Sequence, residues 1–297
     1  MTIDHKNPDP VLPTPDDMWG YNDKRVVVTG AASGMGLAAA KILVALGAEV
    51  TGVDVQPIGY DGVVGKVTMD LSDRASIESA ATELGGGIDA LFNCAGIPGT
   101  ADPRKIIAVN FSGTRHFTEL IAPNMNAGGA ICNIGSTAAV SWPLHAEKML
   151  ELMAIDDYEA GTDWLEKHLP ELGYAYDVSK EAVNVYTAYR ASVGFNAMGL
   201  RMNCINPGST YTAASKEFTK AVKSKDFGAE MLENWPKLMG RMARPDEQAW
   251  PMVFLNSKFA SYTTGTSLFV DAGLTGGVLT QQHHPMVAAG MFWRPPR

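Results

Sequence analysis

The segment that most restricts this chain is Thr29 to Gly36, which reads T-G-A-A-S-G-M-G. It follows the β-branched run Arg25-Val26-Val27-Val28-Thr29 and precedes L-A-A-A-K-I-L-V-A-L, from Leu37 to Leu46. The first run reads as a buried strand and the second as a strong helix former that Gly47 can terminate. A strand entering a helix through a glycine-rich turn is the opening unit of a parallel α/β sheet. The rest of the chain keeps this rhythm. Further strands are expected at Glu49–Asp54, Val64–Met69, Ile88–Asn93, Ala130–Ile134, Met198–Ile205 and Ser267–Asp271. A helix is expected over Asp73–Leu84, with Ser72 as its cap. Strands separated by helices require right-handed crossovers, so the fold class is α/β, a doubly wound parallel sheet. Residues 24–275 are expected to form that domain. Residues 1–23, with four prolines between Pro8 and Pro15, read as an extended arm, and residues 276–297 as a tail.

One stretch breaks the rhythm. Within residues 141–173, the apolar positions Met149, Leu150, Met153, Trp164 and Leu165 predict one or two amphipathic helices. Charge then narrows the partners: 24 Lys and Arg against 32 Asp and Glu give a net charge of −8, with no basic cluster. Such a surface repels a phosphate backbone, so nucleic acid is not an expected partner. No apolar run approaches the roughly 18 residues of a membrane span. Cys94, Cys132 and Cys204 are odd in number and widely spaced, and read as buried thiols in a reducing compartment. The N-terminus is acidic and lacks an apolar stretch, which completes the expectation of a cytoplasmic protein. The histidines offer no metal-ligand spacing, and His283-His284 reads as part of a solvated tail.

The turn has a chemical reading as well. The pyrophosphate of a dinucleotide needs close backbone approach and a helix N-terminus directed at it. Glycines at 30, 34 and 36 remove the obstructing side chains, so Gly30, Ser33, Gly34, Met35 and Gly36 are candidate contacts. Asp54 ends the second strand, eighteen residues after Gly36. An acid there accepts hydrogen bonds from ribose hydroxyls and repels a 2′-phosphate, which favours NAD over NADP.

The sharpest chemical feature is Tyr176-Asp177-Val178-Ser179-Lys180. On a helix, positions i and i+4 share a face, so Tyr176 and Lys180 point together. A phenol of ordinary pKa near 10 is a poor base at neutral pH, and a close ammonium favours its phenolate. The pair therefore has the makings of a general acid/base. Tyr174 competes for the role, but its i+4 residue is Val178, which supplies no cation.

Together with Asn93-Cys94-Ala95-Gly96, Asn110, Ser136 and Asn206-Pro207-Gly208, these motifs resemble the short-chain dehydrogenase/reductase superfamily, in its order and over roughly residues 24 to 273. The resemblance implies that Tyr176 is the proton donor or acceptor and that Ser136, with Ser141 as the other candidate, hydrogen-bonds the reacting oxygen. It implies that Lys180 binds the nicotinamide ribose and lowers the tyrosine pKa, and that Asn110 holds a water in a proton relay. By the same resemblance, Asp70 and Leu71 match the adenine position, and Asn93, Ala95 and Gly96 lie beside the adenine ribose. Pro207, Gly208, Thr210 and Thr212 fall toward the carboxamide of the nicotinamide.

Departures narrow the branch. Cys94 stands where the superfamily commonly has a second asparagine, seventeen residues separate Asn93 from Asn110, and forty separate Ser136 from Tyr176. This pattern resembles the 3α-hydroxysteroid dehydrogenase/carbonyl reductase branch, which includes coniferyl-alcohol dehydrogenases. There the insertion lies over the substrate, so Trp142, Met149, Met153 and Trp164 are expected as an apolar lid. The resulting expectation is an NAD-dependent oxidoreductase of a bulky hydrophobic secondary alcohol, assembled as a dimer or tetramer. A primary aromatic alcohol of the coniferyl type is the alternative, and a non-catalytic NAD(H)-binding regulator the remote one.

Overall fold

A computed structural model describes residues 14–223, 235–236 and 238–282. Seven strands form one parallel sheet: β1 (Arg25–Thr29), β2 (Glu49–Asp54), β3 (Gly65–Thr68), β4 (Ile88–Asn93), β5 (Met125–Ile134), β6 (Arg201–Pro207) and β7 (Ser267–Val270). Their order across the sheet is β3-β2-β1-β4-β5-β6-β7. The chain winds outward one way from β1 and the other way from β4. Strand order thus reverses between β1 and β4, and ligands of open α/β sheets bind beyond the carboxyl ends of strands at such a point.

The helices are α1 (Pro15–Trp19), α2 (Gly34–Ala45), α3 (Arg74–Leu84), α4 (Pro103–Ile107), α5 (Thr114–Ile121), α6 (Trp142–Met153), α7 (Tyr158–Leu172), α8 (Ala175–Arg190), α9 (Ala213–Lys223), α10 (Pro245–Asn256) and α11 (Leu274–Leu279). Both sheet faces are covered, which explains why the strands read as continuous apolar runs. On one face Val26, Val28 and Phe92 pack against Ala39, Leu43, Met252 and Val253 of α2 and α10. On the other, Val27, Leu91 and Ile131 meet Ile77, Phe117, Val183 and Tyr186 of α3, α5 and α8.

Several readings of the sequence need adjustment. The cap of α3 is Asp73, whose carboxylate accepts the Ala75 N–H at 3.0 Å, because Ser72 is turned to Asp70. The N-terminal arm is not extended throughout: Thr14 caps α1, and Tyr21 is buried with its hydroxyl donating to the Val253 carbonyl at 2.7 Å. Residues 1–13, with Pro8, lie outside the described residues, as do His283 and His284. The boundary drawn after residue 275 cuts through α11, whose Val278 is buried against Val140.

One or two helices were expected in the insertion and it forms two, α6 and α7, but its side chains point elsewhere. Met149 and Met153 are buried in the core beside α8 and do not form a lid. Trp164 stacks on His168 of its own helix at 4.0 Å between centroids. Their amphipathic stripe is satisfied by packing on α8, which leaves little of it to face a ligand. Trp142 is half-buried and packs on the same face of the core.

Candidate active site

The glycine turn lies at the switch point. Gly30 has φ +69°, and a Cβ there would fall 2.8 Å from the Ala95 backbone. A Cβ on Gly36 would fall 2.2 Å from the Gly30 carbonyl oxygen, so both positions demand glycine. Thr29, which the sequence reading did not single out, ties the two loops together. Its hydroxyl accepts the N–H groups of Cys94 and Ala95, each at 3.1 Å. Ser33, the N-cap of α2, makes no side-chain cap bond, so the first turn of that helix carries donors without a side-chain acceptor.

A dinucleotide fits these residues. The turn places a helix N-terminus where no side chain intrudes, and the loop carrying Thr212 faces it across the cleft. A Cβ on Gly34 would meet the Thr212 methyl at 3.5 Å. Asp54 ends β2, and its carboxylate accepts the Ala32 N–H and the Gln56 N–H, both at 2.9 Å. It therefore shapes the turn as well as presenting charge at the strand end. Asp70 is held by Ser72 through two hydrogen bonds, of 2.8 and 2.6 Å, which keep its carboxyl below the ordinary value against the cost of partial burial.

Other predicted contacts face inward. Leu71 is buried, and its carbonyl accepts the Tyr158 hydroxyl. The Asn93 amide donates to Thr118 and Asn133, each at 2.8 Å, so its side chain belongs to a buried polar network and not to a ligand surface. Ala95 lies against Gly30 of the turn, and Gly96 adjoins Asn110 and Lys180. Pro207 and Gly208 lead from β6, with the Gly208 N–H bonded to the Val270 carbonyl at 3.0 Å. Thr210 is buried and donates to the Gly208 carbonyl, while Thr212 accepts the Ser215 N–H as α9 begins.

Asn110, Ser136, Tyr176 and Lys180 converge at the same edge of the sheet. Asn110 sits in a π-helical turn, Ala108–Gly113, the kind of widened turn often found at functional sites. Its amide accepts the Ile97 N–H at 2.8 Å and donates to the Ile97 carbonyl at 3.1 Å. A Cβ on Gly96 would lie 3.2 Å from the Asn110 oxygen and 3.6 Å from the Lys180 Nζ, so the two groups flank one narrow space. Ser136 is buried at the exit of β5. Its Oγ accepts the Ala138 N–H at 3.1 Å and lies near enough to the Tyr176 hydroxyl to favour its phenolate. Ser141 makes no comparable bond at the N-cap of α6, and Tyr174 is exposed.

The electrostatics differ from the expectation in one respect. Burial pushes the Tyr176 phenol above its ordinary value; nearby Ser136 opposes this and the Asp177 charge adds to it. The Lys180 ammonium is directed to the strand. Its Nζ lies 5.9 Å from the Tyr176 ring centroid and donates to the Ile134 carbonyl at 2.9 Å. Its own pKa is pushed down to about 8 by burial. Two acids missed in the sequence adjoin the pair. Asp177 is raised to about 7 by burial and by Glu181, and buried Glu181 meets the His145 ring at 2.5 Å, joining α6 to α8.

A separate cavity of about 380 Å³, lined by Phe111, Arg115, Met153, Tyr158 and Tyr189 among others, contains none of these catalytic candidates. Beside Ser136, Val140 packs instead against Leu274 and Val278, with Trp235, Leu238 and Phe269. Nothing in their spacing announced this grouping, since they are drawn from three distant stretches. Among the described residues no cluster of three or more His, Cys, Asp or Glu is arranged to hold a metal. No helix there is long and apolar enough to cross a membrane.

A doubly wound sheet with a glycine turn at its switch point and Ser, Tyr and Lys at one strand edge defines a nucleotide-dependent oxidoreductase. The chain belongs to the short-chain dehydrogenase/reductase family: the short chain dehydrogenase profile matches residues 24–146, and the Enoyl-(Acyl carrier protein) reductase profile residues 164–275. It is 33% identical to a coniferyl-alcohol dehydrogenase of Pseudomonas sp. (strain HR199 / DSM 7063), over 85% of this chain and 96% of that one. It is 29% identical to the 3-alpha-hydroxysteroid dehydrogenase/carbonyl reductase of Comamonas testosteroni, over 84% and 95% respectively. The 3-alpha-hydroxysteroid dehydrogenase of Pseudomonas sp. B-0831, solved with NADH, superimposes with a TM-score of 0.71 at 28% identity, covering 87% of this chain and 99% of that one. The protein is thus an oxidoreductase acting on alcohols or carbonyls with NAD(P)(H).

Proposed function

We propose that the protein is an NAD-dependent enzyme interconverting a bulky hydrophobic secondary alcohol, of hydroxysteroid, terpenoid or aromatic type, and its ketone. The observation that carries this reading is buried Ser136, close enough to Tyr176 to bias its titration, set beside an apolar cluster. Val140 follows the turn capped by Ser136, so an apolar substrate packed on Val140 and Leu274 brings its carbinol oxygen toward Ser136 and Tyr176. A nicotinamide dinucleotide, held by the Gly30–Gly36 turn, Asp54 and the 207–212 loop, supplies the hydride acceptor or donor when bound. The Ser136 hydroxyl donates to the substrate oxygen, and the Tyr176 Oη takes the proton of the alcohol in oxidation or returns it in reduction. Lys180 holds positive charge in the same buried space, and Asn110 flanks it, where a proton relay would run.

Asp54 supports NAD, because its carboxylate stands at the strand end where a 2′-phosphate would bring further negative charge. The coniferyl-alcohol relative favours a second reading, a primary aromatic alcohol. Reduced-nicotinamide formation over hydroxysteroids, terpenoid alcohols and arylalkanols, each with NAD and with NADP, tests both. Turnover of secondary alcohols with NAD is expected; turnover confined to primary arylalkanols selects the second reading, and equal efficiency with NADP removes the role given to Asp54.

A homo-oligomer of two or four is also proposed. Trp250, Phe254 and Phe259 are partly exposed on one face with Trp19, more aromatic surface than a monomer ordinarily leaves to water. A compartment of reducing character is proposed from the three free thiols, Cys94, Cys132 and Cys204; thiol titration of protein isolated from cells checks it.

A further inference from the structure

Two asparagines outside the expected catalytic set connect Ser136 to Lys180. The Ser136 N–H donates to the Asn206 Oδ1 at 2.9 Å. The Asn206 Nδ2 donates to the Asn184 Oδ1 at 2.9 Å, and the Asn184 Nδ2 returns a bond to the Asn206 Oδ1 at 3.0 Å. The same Asn184 Nδ2 donates to the Lys180 backbone carbonyl at 2.9 Å. Both side chains are completely buried. Each amide has one workable orientation: the Ser136 N–H requires an acceptor and the Lys180 carbonyl a donor, which fixes oxygen and nitrogen at both ends. Gly135 belongs to the arrangement. A Cβ there would fall 2.1 Å from the Asn206 Oδ1 and 2.9 Å from the Asn184 Nδ2.

The pair holds the one stretch of backbone that decides where the Ser136 hydroxyl sits. The Ile134 carbonyl is held by the Lys180 Nζ and the Gly135 N–H by the Ile205 carbonyl, at 2.8 Å, while the Ser136 N–H has Asn206. With the Ser136 Oγ accepting from Ala138, its own proton remains available to donate into the site it shares with Tyr176. A shift of the 135–136 backbone would move that donor relative to the Tyr176 Oη, and misplacement by about 1 Å can cost about 100-fold in rate. We propose that Asn206 and Asn184 are positioning residues, a buried amide clamp that fixes the Ser136 hydroxyl against Tyr176 and locks the strand exit to the turn of α8 bearing Lys180. The proposal rests on the oxidoreductase reading of the site, and names what aligns it.

The test separates positioning from mere support of the sheet. Asn206→Ala and Asn184→Ala are each made alone and combined with Ser136→Ala. Either asparagine change alone is expected to lower kcat about 10- to 100-fold, with the Kd for NAD within about twofold of wild type. In the Ser136→Ala background the same change should alter kcat by less than about threefold, because the group it aligns is gone. An equal loss in both backgrounds would overturn the proposal. An activity-free readout accompanies it: the Tyr176 phenol titration, taken as the ultraviolet difference from the matching Tyr176→Phe protein. It should rise in Asn206→Ala as it does in Ser136→Ala, and an unchanged titration also overturns the proposal. If wild type oxidises no alcohol, the substrate reading falls while the titration still decides the clamp. If Asn206→Ala does not fold, Asn206→Ser carries the same two readouts.

Discussion

At the residue scale, Lys180 concentrates the conflict between stability and chemistry. Its ammonium is buried, and its pKa of about 8 lies below the ordinary value of 10.5. Folding therefore disfavours its proton. Below about pH 8 the lysine is charged in both folded and unfolded chains, and the full penalty is present. Between about pH 8 and about pH 10.5 the folded form loses the proton first, and the penalty fades. Lys180→Met is expected to abolish turnover yet raise stability near neutral pH by on the order of 1–3 kcal/mol, after the lost Ile134 hydrogen bond is deducted. Denaturant melts from about pH 7 to about pH 10 should show the gain shrinking. A variant less stable at neutral pH contradicts this account.

The same scale shows what a sequence reveals. Tyr176 and Lys180 were legible because i and i+4 on one helix are neighbours whatever the fold does. The expected depression of the phenol was not reliable, since it depended on where the Nζ would find its acceptor, and that acceptor is a strand carbonyl. Asn184 went unread, and Asn206 was read only as part of a motif, for a related reason. Their meaning lies in a bond between α8 and β6, which no local periodicity encodes.

At the element scale, α6 and α7 illustrate how far an amphipathic pattern goes. It announced one or two amphipathic helices, and the structure has two. It did not say which neighbour takes that face. Met149 and Met153 meet the core beside α8, whereas the apolar group next to Ser136 comes from Val140 and the α11 residues Leu274 and Val278. Met149→Ala should cost about 2–5 kcal/mol of stability, the usual range for a buried methionine, and leave KM for the alcohol within about twofold. Leu274→Ala should instead raise that KM several-fold. Melting and steady-state kinetics on the two variants decide it, and the opposite pattern would return the lid to the insertion.

At the scale of the whole molecule, the sheet was the most legible part. All seven strands were expected, with boundaries differing most for β5, which begins at Met125, and β6, which begins at Arg201. Strand order follows from chirality and from helices on both faces. The ends were harder to read. Tyr21 and Val278 lie in short stretches with no clear periodicity, and their burial against Val253 and Val140 assigns them to the domain. The aromatic face of α10 belongs to this scale too. Light scattering should give a multiple of the 31.8 kDa chain, and Trp250→Glu should shift the protein toward monomer. A wild-type monomer refutes the assembly.

The central claim is that Tyr176 Oη moves the substrate proton. It is tested most directly by following reduced-nicotinamide absorbance as an alcohol is oxidised at mildly alkaline pH, for wild type and for Tyr176→Phe. The account predicts turnover by wild type that rises with pH as the phenolate forms, and a loss of at least about 100-fold in Tyr176→Phe with NAD binding retained. Turnover by Tyr176→Phe at the wild-type rate would contradict it.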